Sequence, residues 1–266
     1  RMELELAGLR AMAFRAAWAV DLYTRLETRL KLDPPADAEQ RRRLERRIKT
    51  IKWQARELTP LIKYQAGEKA VELSLLGLQI HGGVGYTTDY IAEKLVRDAV
   101  VLPIYEGTSQ IQALMALKDQ MGRALKDPAG FLRRSARARV ASLSARDPLE
   151  RRLAGLEKRM YSAMQHILTR IARDKFQHVS ELKLSEWPGA FKDWDPKRDF
   201  AFGMLHAERL TRMLCEVQIS RTLVEQARRF PERRELAERY MERAAPTVAH
   251  MQDQILSGVG DHVLRD

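Results

Sequence analysis

Two short segments carry residue types that a helical bundle does not need, and the first is rich in glycine. The stretch 79–86 contains Gly82, Gly83 and Gly85 within four positions. Glycine lacks Cβ, so backbone N–H groups in such a stretch can approach an anion closely. The spacing does not match the GxGxxG dinucleotide pattern, and no strand is predicted before it. On spacing alone, an ordinary glycine-rich turn between helices is the better explanation.

The second segment, 104–112, places an acid beside a predicted helix start. Ser109 and Gln112 fit a capping box, which predicts that a helix begins there. Glu106 lies just before this helix, between Tyr105 and Gly107. Because the helix dipole stabilises a carboxylate at this position, an ordinary N-terminal acid is the simpler interpretation on chemistry alone. A catalytic carboxylate is the alternative.

The elements that carry these segments are predicted to be helices. Apolar residues recur at helical spacing along most of the chain, and strand-favouring residues are not clustered. The predicted helices span 2–31, 38–80, 89–98, 109–125, 131–145, 147–182, 197–229 and 232–257. Asp37 is a candidate cap for the second helix, and Pro60 is expected to kink or interrupt it. Residues 183–196 are irregular but aromatic, which predicts a packed segment.

Long helices with short links predict an all-α protein built from antiparallel bundles. The run Asp-Pro-Ala-Gly at 127–130 is the best candidate for a domain boundary. It separates a first helical domain, 1–126, from a second, 127–266. The chain also opens inside an apparent helix without an initiator methionine, which suggests a piece of a longer protein.

Composition limits the classes of function. The 266 residues carry 47 basic and 36 acidic side chains, a net charge of +11, but the charges are mostly interleaved, as on solvated helix faces. The single cysteine, Cys215, allows no internal disulfide and fits a reducing, cytoplasmic compartment. No apolar run is long enough to span a membrane, and no signal peptide is evident. The histidines show no spacing typical of a metal site.

Taken together, the two segments resemble the acyl-CoA dehydrogenase family. The pattern runs Gln-x-x-Gly-Gly-x-Gly-Tyr from Gln79, then Arg97-Asp98-Ala99, then Ile-Tyr-Glu-Gly-Thr-Ser-Gln-Ile-Gln from Ile104. The resemblance covers 68–121 strongly and 1–67 weakly. It implies that 1–126 is the C-terminal helical bundle of that family. The remainder resembles the extra C-terminal helical domain of an enlarged bacterial branch, for which an oligomerisation role is the expected use.

The resemblance also implies roles for individual residues. Glu106 matches the catalytic base, while Thr108 and Gln110 match positions that contact FAD. The positions that line the FAD of a neighbouring subunit are matched by Gln79, Gly82 and Gly83. Arg97 and Asp98 match a pair interpreted as a salt bridge or cap. At Ala113 this sequence departs from the arginine common in the family, which weakens any contact carried over to that position.

The reaction implied is α,β-dehydrogenation of an acyl-CoA thioester to the trans-2-enoyl-CoA. Glu106 removes the α-proton in an apolar site, with Leu102, Ile104 and Tyr105 as candidate walls. FAD is the implied cofactor, and the implied partners are electron-transfer flavoprotein as electron acceptor and further copies of the chain in a homodimer or tetramer. What precedes Arg1 is expected to supply most of the flavin and acyl pocket.

The alternative is a family relative that binds DNA through a basic C-terminal region. Residues 126–266 hold 27 basic and 20 acidic side chains, a modest excess. Base-stacking aromatic residues are not interleaved with these charges, so nucleic-acid binding is the weaker hypothesis.

Overall fold

A computed structural model describes residues 1–183, 186–190, 195, 199–258, 260 and 263, and its regular structure within these ranges is entirely helical. The α-helices are α1 (Met2–Leu32), α2 (Ala38–His81), α3 (Ile91–Val100), α4 (Ser109–Lys126), α5 (Pro128–Ser144), α6 (Pro148–Ser180), α7 (Trp187–Ala190), α8 (Ala201–Leu205), α9 (Ala207–Arg229) and α10 (Arg234–Leu256). Two 3-10 turns, Gly82–Tyr86 and Pro231–Arg233, follow α2 and precede α10. The all-α prediction is therefore confirmed.

The chain divides into two compact units. One comprises Arg1–Gln112 with Gln218–Leu236, and the other Ala113–Val217 with Ala237–Asp266. Within the first unit α1 packs along α2, and within the second α5 packs along α6. Each pair is joined by a short link, so the two partners run antiparallel. The dividing points fall inside α4, in the middle of α9 and near the start of α10, and the predicted domain boundary at 127 stays a prediction.

Helix α2 supports the candidate site. It begins as predicted, because the Asp37 carboxylate accepts a hydrogen bond from the Gln40 backbone N–H at 2.7 Å. It then continues to His81 through Pro60, so the predicted interruption does not occur. The missing Pro60 N–H breaks one bond of the helix, while burial of Pro60 and its neighbour Leu61 holds the chain in place.

Two predicted helix limits need correction. Helix α5 begins at Pro128, three residues before the predicted start. The Asp127 carboxylate accepts from the Gly130 N–H at 2.8 Å, and proline suits the first helical position because no N–H is required there. The predicted helix 197–229 is two helices, α8 and α9, with His206 between them. Half of the segment 183–196 lies outside the described residues, as do 197 and 198.

The second unit contains polar groups that are buried with partners. Lys175 and Asp199 form an ion pair of 2.8 Å, with side chains 3% and 1% exposed. Glu216 accepts hydrogen bonds from the Tyr240 hydroxyl at 2.8 Å and from Arg243 at 2.9 Å. Such pairing is what makes burial of charge tolerable inside a helical core.

None of the described helices has a stretch long and apolar enough to cross a bilayer. In the same part of the chain, no group of three or more His, Cys, Asp or Glu side chains is arranged to hold a metal ion.

Candidate active site

The turn that carries Glu106 has an unusual backbone. Glu106 has φ of 52° and Gly107 has φ of 93°, so two successive residues occupy the left-handed region. For glycine this conformation is easy, but for glutamate it costs about 1–3 kcal/mol and needs support from its surroundings. Support comes from Gln112, whose side-chain amide donates to the Glu106 carbonyl oxygen at 3.2 Å. The turn is thus held in a conformation that the peptide alone would not favour.

The chain before this turn rests on the middle of α2. The Lys63 ammonium donates to the Leu102 carbonyl oxygen at 2.6 Å and lies 4.8 Å from the centre of the Tyr105 ring. A Cβ placed on Gly67 would lie 3.3 Å from the backbone of Leu102 and Pro103, so glycine allows the close approach. Lys63 and Gly67 are one helical turn apart and therefore share a face of α2.

The start of α4 is fixed to the same helix. The Ser109 hydroxyl is buried and donates to the Glu68 carboxylate at 2.6 Å. Lys63, Gly67 and Glu68 were not predicted as part of the site. The available signal was the four-residue spacing of Lys63 and Gly67, which places a cation and a glycine on one face of a helix.

The predicted capping box at Ser109 is wrong. Thr108 is the cap, because its hydroxyl oxygen accepts from the Ile111 N–H at 3.3 Å. The Gln112 side chain reaches back to the Glu106 carbonyl, and Ser109 bonds across to α2. Serine and threonine are both good helix caps, but the Ser109 hydroxyl is bonded to Glu68, so Thr108 caps the helix.

Glu106 itself is exposed, and within the described chain its predicted apolar walls do not enclose it. Ile104 is 59% exposed and Tyr105 46% exposed, the latter leaning on Lys63. The Glu106 backbone N–H donates no hydrogen bond within the described residues. The turn therefore presents a carboxylate and an N–H donor together.

The glycine turn lies at the C-terminal end of α2, whereas the Glu106 loop rests on its middle. Gln79, Gly82 and Gly83 are all exposed, and the Gly82 N–H donates to the Gln79 carbonyl oxygen to close the helix. From Gly67 to Gln79 is twelve residues of one helix, a separation of roughly 18 Å at 1.5 Å per residue. The structure therefore brings Thr108 and Gln110 next to Glu106 but keeps the three residues of the glycine turn apart from them.

Exposed apolar side chains surround the glycine turn. Ile80 is 75% exposed and Tyr86 80% exposed, and Val84 and Ile91 are also largely open to solvent. His81 is also exposed, and its Nδ1 lies 2.8 Å from the Gly77 carbonyl oxygen. Clustered apolar surface of this kind is typical of a region that contacts another protein surface.

The structure also shows the surroundings of two further positions named from the resemblance, Arg97 and Ala113. Arg97 contacts Glu93, one turn earlier on α3, with an N–O distance of 3.7 Å. Its partner is not Asp98, because adjacent residues on a helix face different directions. Ala113, at the position where the family often has arginine, is fully buried.

Part of the chain matches a known protein family. Residues 40–121 match the family described as acyl-CoA dehydrogenase, C-terminal domain. The chain is 36% identical over 125 residues to 3-methylmercaptopropionyl-CoA dehydrogenase of Ruegeria pomeroyi, covering 44% of this chain and 21% of the relative. It is 47% identical over 62 residues to an acyl-CoA dehydrogenase of Bacillus subtilis, covering 23% of this chain and 16% of the relative. The chain thus matches a minor part of the length of these relatives.

A solved structure has the same fold over nearly the whole chain. The acyl-CoA dehydrogenase of Bacillus anthracis, determined in complex with FAD, superposes with a TM-score of 0.63 at 15% identity. The alignment covers 97% of this chain and 42% of that protein, so it includes the helices after residue 127. Residues 40–121, which run from α2 into α4 with the Glu106 turn between them, thus match the C-terminal domain of the acyl-CoA dehydrogenase family.

Proposed function

We propose that the natural protein containing this chain oxidises an acyl-CoA thioester to the trans-2-enoyl-CoA, with FAD as cofactor and Glu106 as the base. One observation carries the proposal most directly. Glu106 stands in a strained left-handed turn at a helix start, with an exposed carboxylate and an N–H that makes no other hydrogen bond in the described chain. Strain of this kind persists where the surroundings enforce it, often at a functional position.

The polar groups beside Glu106 suit a flavin cofactor. Thr108 and Gln110 lie at the start of α4, where a hydroxyl and an amide are available to hydrogen-bond the polar atoms of FAD. When bound, FAD supplies the acceptor for the hydride that leaves Cβ of the substrate. The separate position of Gln79, Gly82 and Gly83 supports their assignment to the FAD of a neighbouring subunit. That assignment requires a closed dimer or tetramer.

The chemistry assigned to this chain is proton removal. The Glu106 carboxylate takes the α-proton, a task that general bases accelerate by about 10²–10⁴-fold. The Glu106 N–H donates to the thioester carbonyl oxygen, where negative charge develops as the proton leaves. A preorganised donor at such a position contributes about 3–4 kcal/mol. Water must be excluded for the base to act near neutral pH, and Ile104 and Tyr105 offer exposed apolar surface for that purpose.

The opposite direction of reaction is the second candidate. Two relatives bear reductase names: 3-(aryl)acrylate reductase of Clostridium sporogenes and acryloyl-CoA reductase (NADH) of Anaerotignum propionicum. They are 49% and 44% identical to this chain over 55 and 63 residues, respectively. Because the same base and flavin serve either direction, Glu106 keeps its role, now as the acid that protonates Cα.

The test is made on the full natural protein. It is expected to purify with bound FAD, and the flavin absorbance is expected to bleach anaerobically when saturated acyl-CoAs of increasing chain length are added. Electron-transfer flavoprotein is the proposed acceptor and should then recover the oxidised spectrum. A protein that binds FAD and bleaches with NADH but with no saturated acyl-CoA would favour the reductase. A protein that purifies without flavin and cannot be reconstituted would contradict both.

A further inference from the structure

We propose that Lys63 is a positioning residue for the Glu106 base, acting by clamping the four residues before it onto α2. This inference rests on the proposed function, since it assigns Lys63 a part in that reaction. Lys63 is half-buried and reaches the loop at two points. Its ammonium donates to the Leu102 carbonyl at 2.6 Å and lies 4.8 Å from the centre of the Tyr105 ring. The two contacts fix the ends of the segment that leads directly into Glu106.

Backbone hydrogen bonds also hold this loop, among them one of 2.9 Å from the Ser109 N–H to the Pro103 carbonyl oxygen. Within the turn, the Ile104 and Tyr105 N–H groups both donate to the Val101 carbonyl oxygen, at 3.0 and 3.2 Å. The Leu102 carbonyl oxygen takes no part in that turn and faces Lys63 instead. A charged donor makes a shorter and stronger bond than a neutral one, and the ring contact adds attraction that depends on the same charge. Lys63 thus joins a local turn to a rigid helix.

The residues of α2 next to Lys63 set the distance between the loop and the helix. Gly67 lets the backbone of Leu102 and Pro103 approach until an added Cβ would lie 3.3 Å away. Beyond the base, Glu68 accepts the Ser109 hydroxyl bond at 2.6 Å and fixes the start of α4. The left-handed turn is therefore tied to α2 on both sides, by Lys63 before Glu106 and by Glu68 after it.

The consequence is a prediction about the reactivity of the base. Without the ammonium, the loop is free to move and the left-handed conformation of Glu106 loses a restraint, so the turn relaxes toward ordinary negative φ. Misplacement of a reacting group by about 1 Å can cost around 10²-fold in rate. Loss of Lys63 should therefore slow proton removal while leaving cofactor binding in place.

The test compares Lys63→Met, which keeps the length and apolar stem, with Lys63→Arg, which keeps a charged donor. The matched control is Lys49→Met, an exposed lysine on the same helix. In the full natural protein, hydrogen exchange of the amides in 101–109 should accelerate by at least about 10-fold in Lys63→Met, as expected for loss of a charged hydrogen bond. Lys63→Arg and the control should exchange at rates close to that of the wild type.

Flavin bleaching by a saturated acyl-CoA supplies the second readout. In Lys63→Met the first-order rate constant at saturating substrate should fall at least about 10-fold, with little change in KM and in FAD content, and Lys63→Arg should recover most of the rate. If Lys63→Met does not fold, Tyr105→Leu removes the ring contact without removing the charge and should show both effects in weaker form.

The outcomes separate this inference from the function on which it rests. If the wild type bleaches, Glu106→Gln does not, and Lys63→Met matches the wild type in either exchange or rate, then Lys63 is not a positioning residue. The same conclusion follows if Tyr105→Leu is used in place of an unfolded Lys63→Met and matches the wild type in exchange and rate. If none of the acyl-CoAs tested bleaches the wild-type flavin, the proposed function is wrong, and the role of Lys63 in it is wrong as well.

Discussion

Replacing Gly107 with alanine should destabilise the chain through a specific steric and conformational conflict. Gly107 has φ of 93°, where an alanine costs about 1–3 kcal/mol. The new Cβ would also lie 2.7 Å from Nε2 of Gln112, closer than side chains tolerate. The Gln112 amide must then move, which removes its 3.2 Å bond to the Glu106 carbonyl, a contribution of about 0.5–1.5 kcal/mol. The expected loss in unfolding free energy is about 2–4 kcal/mol.

The matched control is Gly122→Ala, in the same helix that follows the turn. An added Cβ there meets no atom within 4 Å, and alanine is favoured over glycine in a helix interior by about 1 kcal/mol. The midpoint of urea denaturation, followed by far-ultraviolet circular dichroism, should therefore fall for Gly107→Ala and rise for Gly122→Ala. A Gly107→Ala protein as stable as the wild type, alongside a stabilised Gly122→Ala, would refute the argument that this turn is strained and held by Gln112.

Three further predictions concern other groups of the chain. Lys175→Met removes the cation that pairs with the buried Asp199 carboxylate and should lower the unfolding free energy by about 3–5 kcal/mol in thermal denaturation, with partial recovery when Asp199→Asn is added. The Gly130 N–H holds the pKa of Asp127 below its usual range, so its charged form is favoured by folding; Asp127→Asn should lower Tm at pH 7, and the deficit should shrink as pH falls below about 4. Burial raises the pKa of Cys215 well above its usual value, so a thiol reagent at pH 8 should label it only after unfolding, and labelling of the folded protein would contradict its placement in the core.

Much of the fold was predictable because helical periodicity is a local property. The starts of α1 and α2 and the Asp37 cap followed from residue types within a few positions of one another. The error at α5 has a local reason as well: Asp127-Pro128 was interpreted as a break between helices, whereas aspartate followed by proline also begins a helix. Whether Asp-Pro breaks a helix or begins one depends on whether the residues after the proline are helical.

The candidate site divides in the same way. The identity of Glu106 as a candidate base came from a motif, and the roles given to Gln79, Gly82, Gly83, Thr108 and Gln110 stay predictions. The left-handed backbone of Glu106 could not have been predicted, because glutamate does not favour it and the restraints come from elsewhere. Lys63 lies 39 positions from Leu102, so its contact appears only when α2 and the loop are packed together.

The most direct test of the central claim is the anaerobic reduction of flavin in Glu106→Gln. Glutamine keeps the size of the side chain and the backbone N–H but cannot accept the α-proton, so folding and FAD content should match the wild type. With a saturated acyl-CoA that reduces the wild-type flavin, the bleaching rate of the variant should fall by at least about 10²-fold. A variant that binds FAD and bleaches at the wild-type rate would show that Glu106 is not the base.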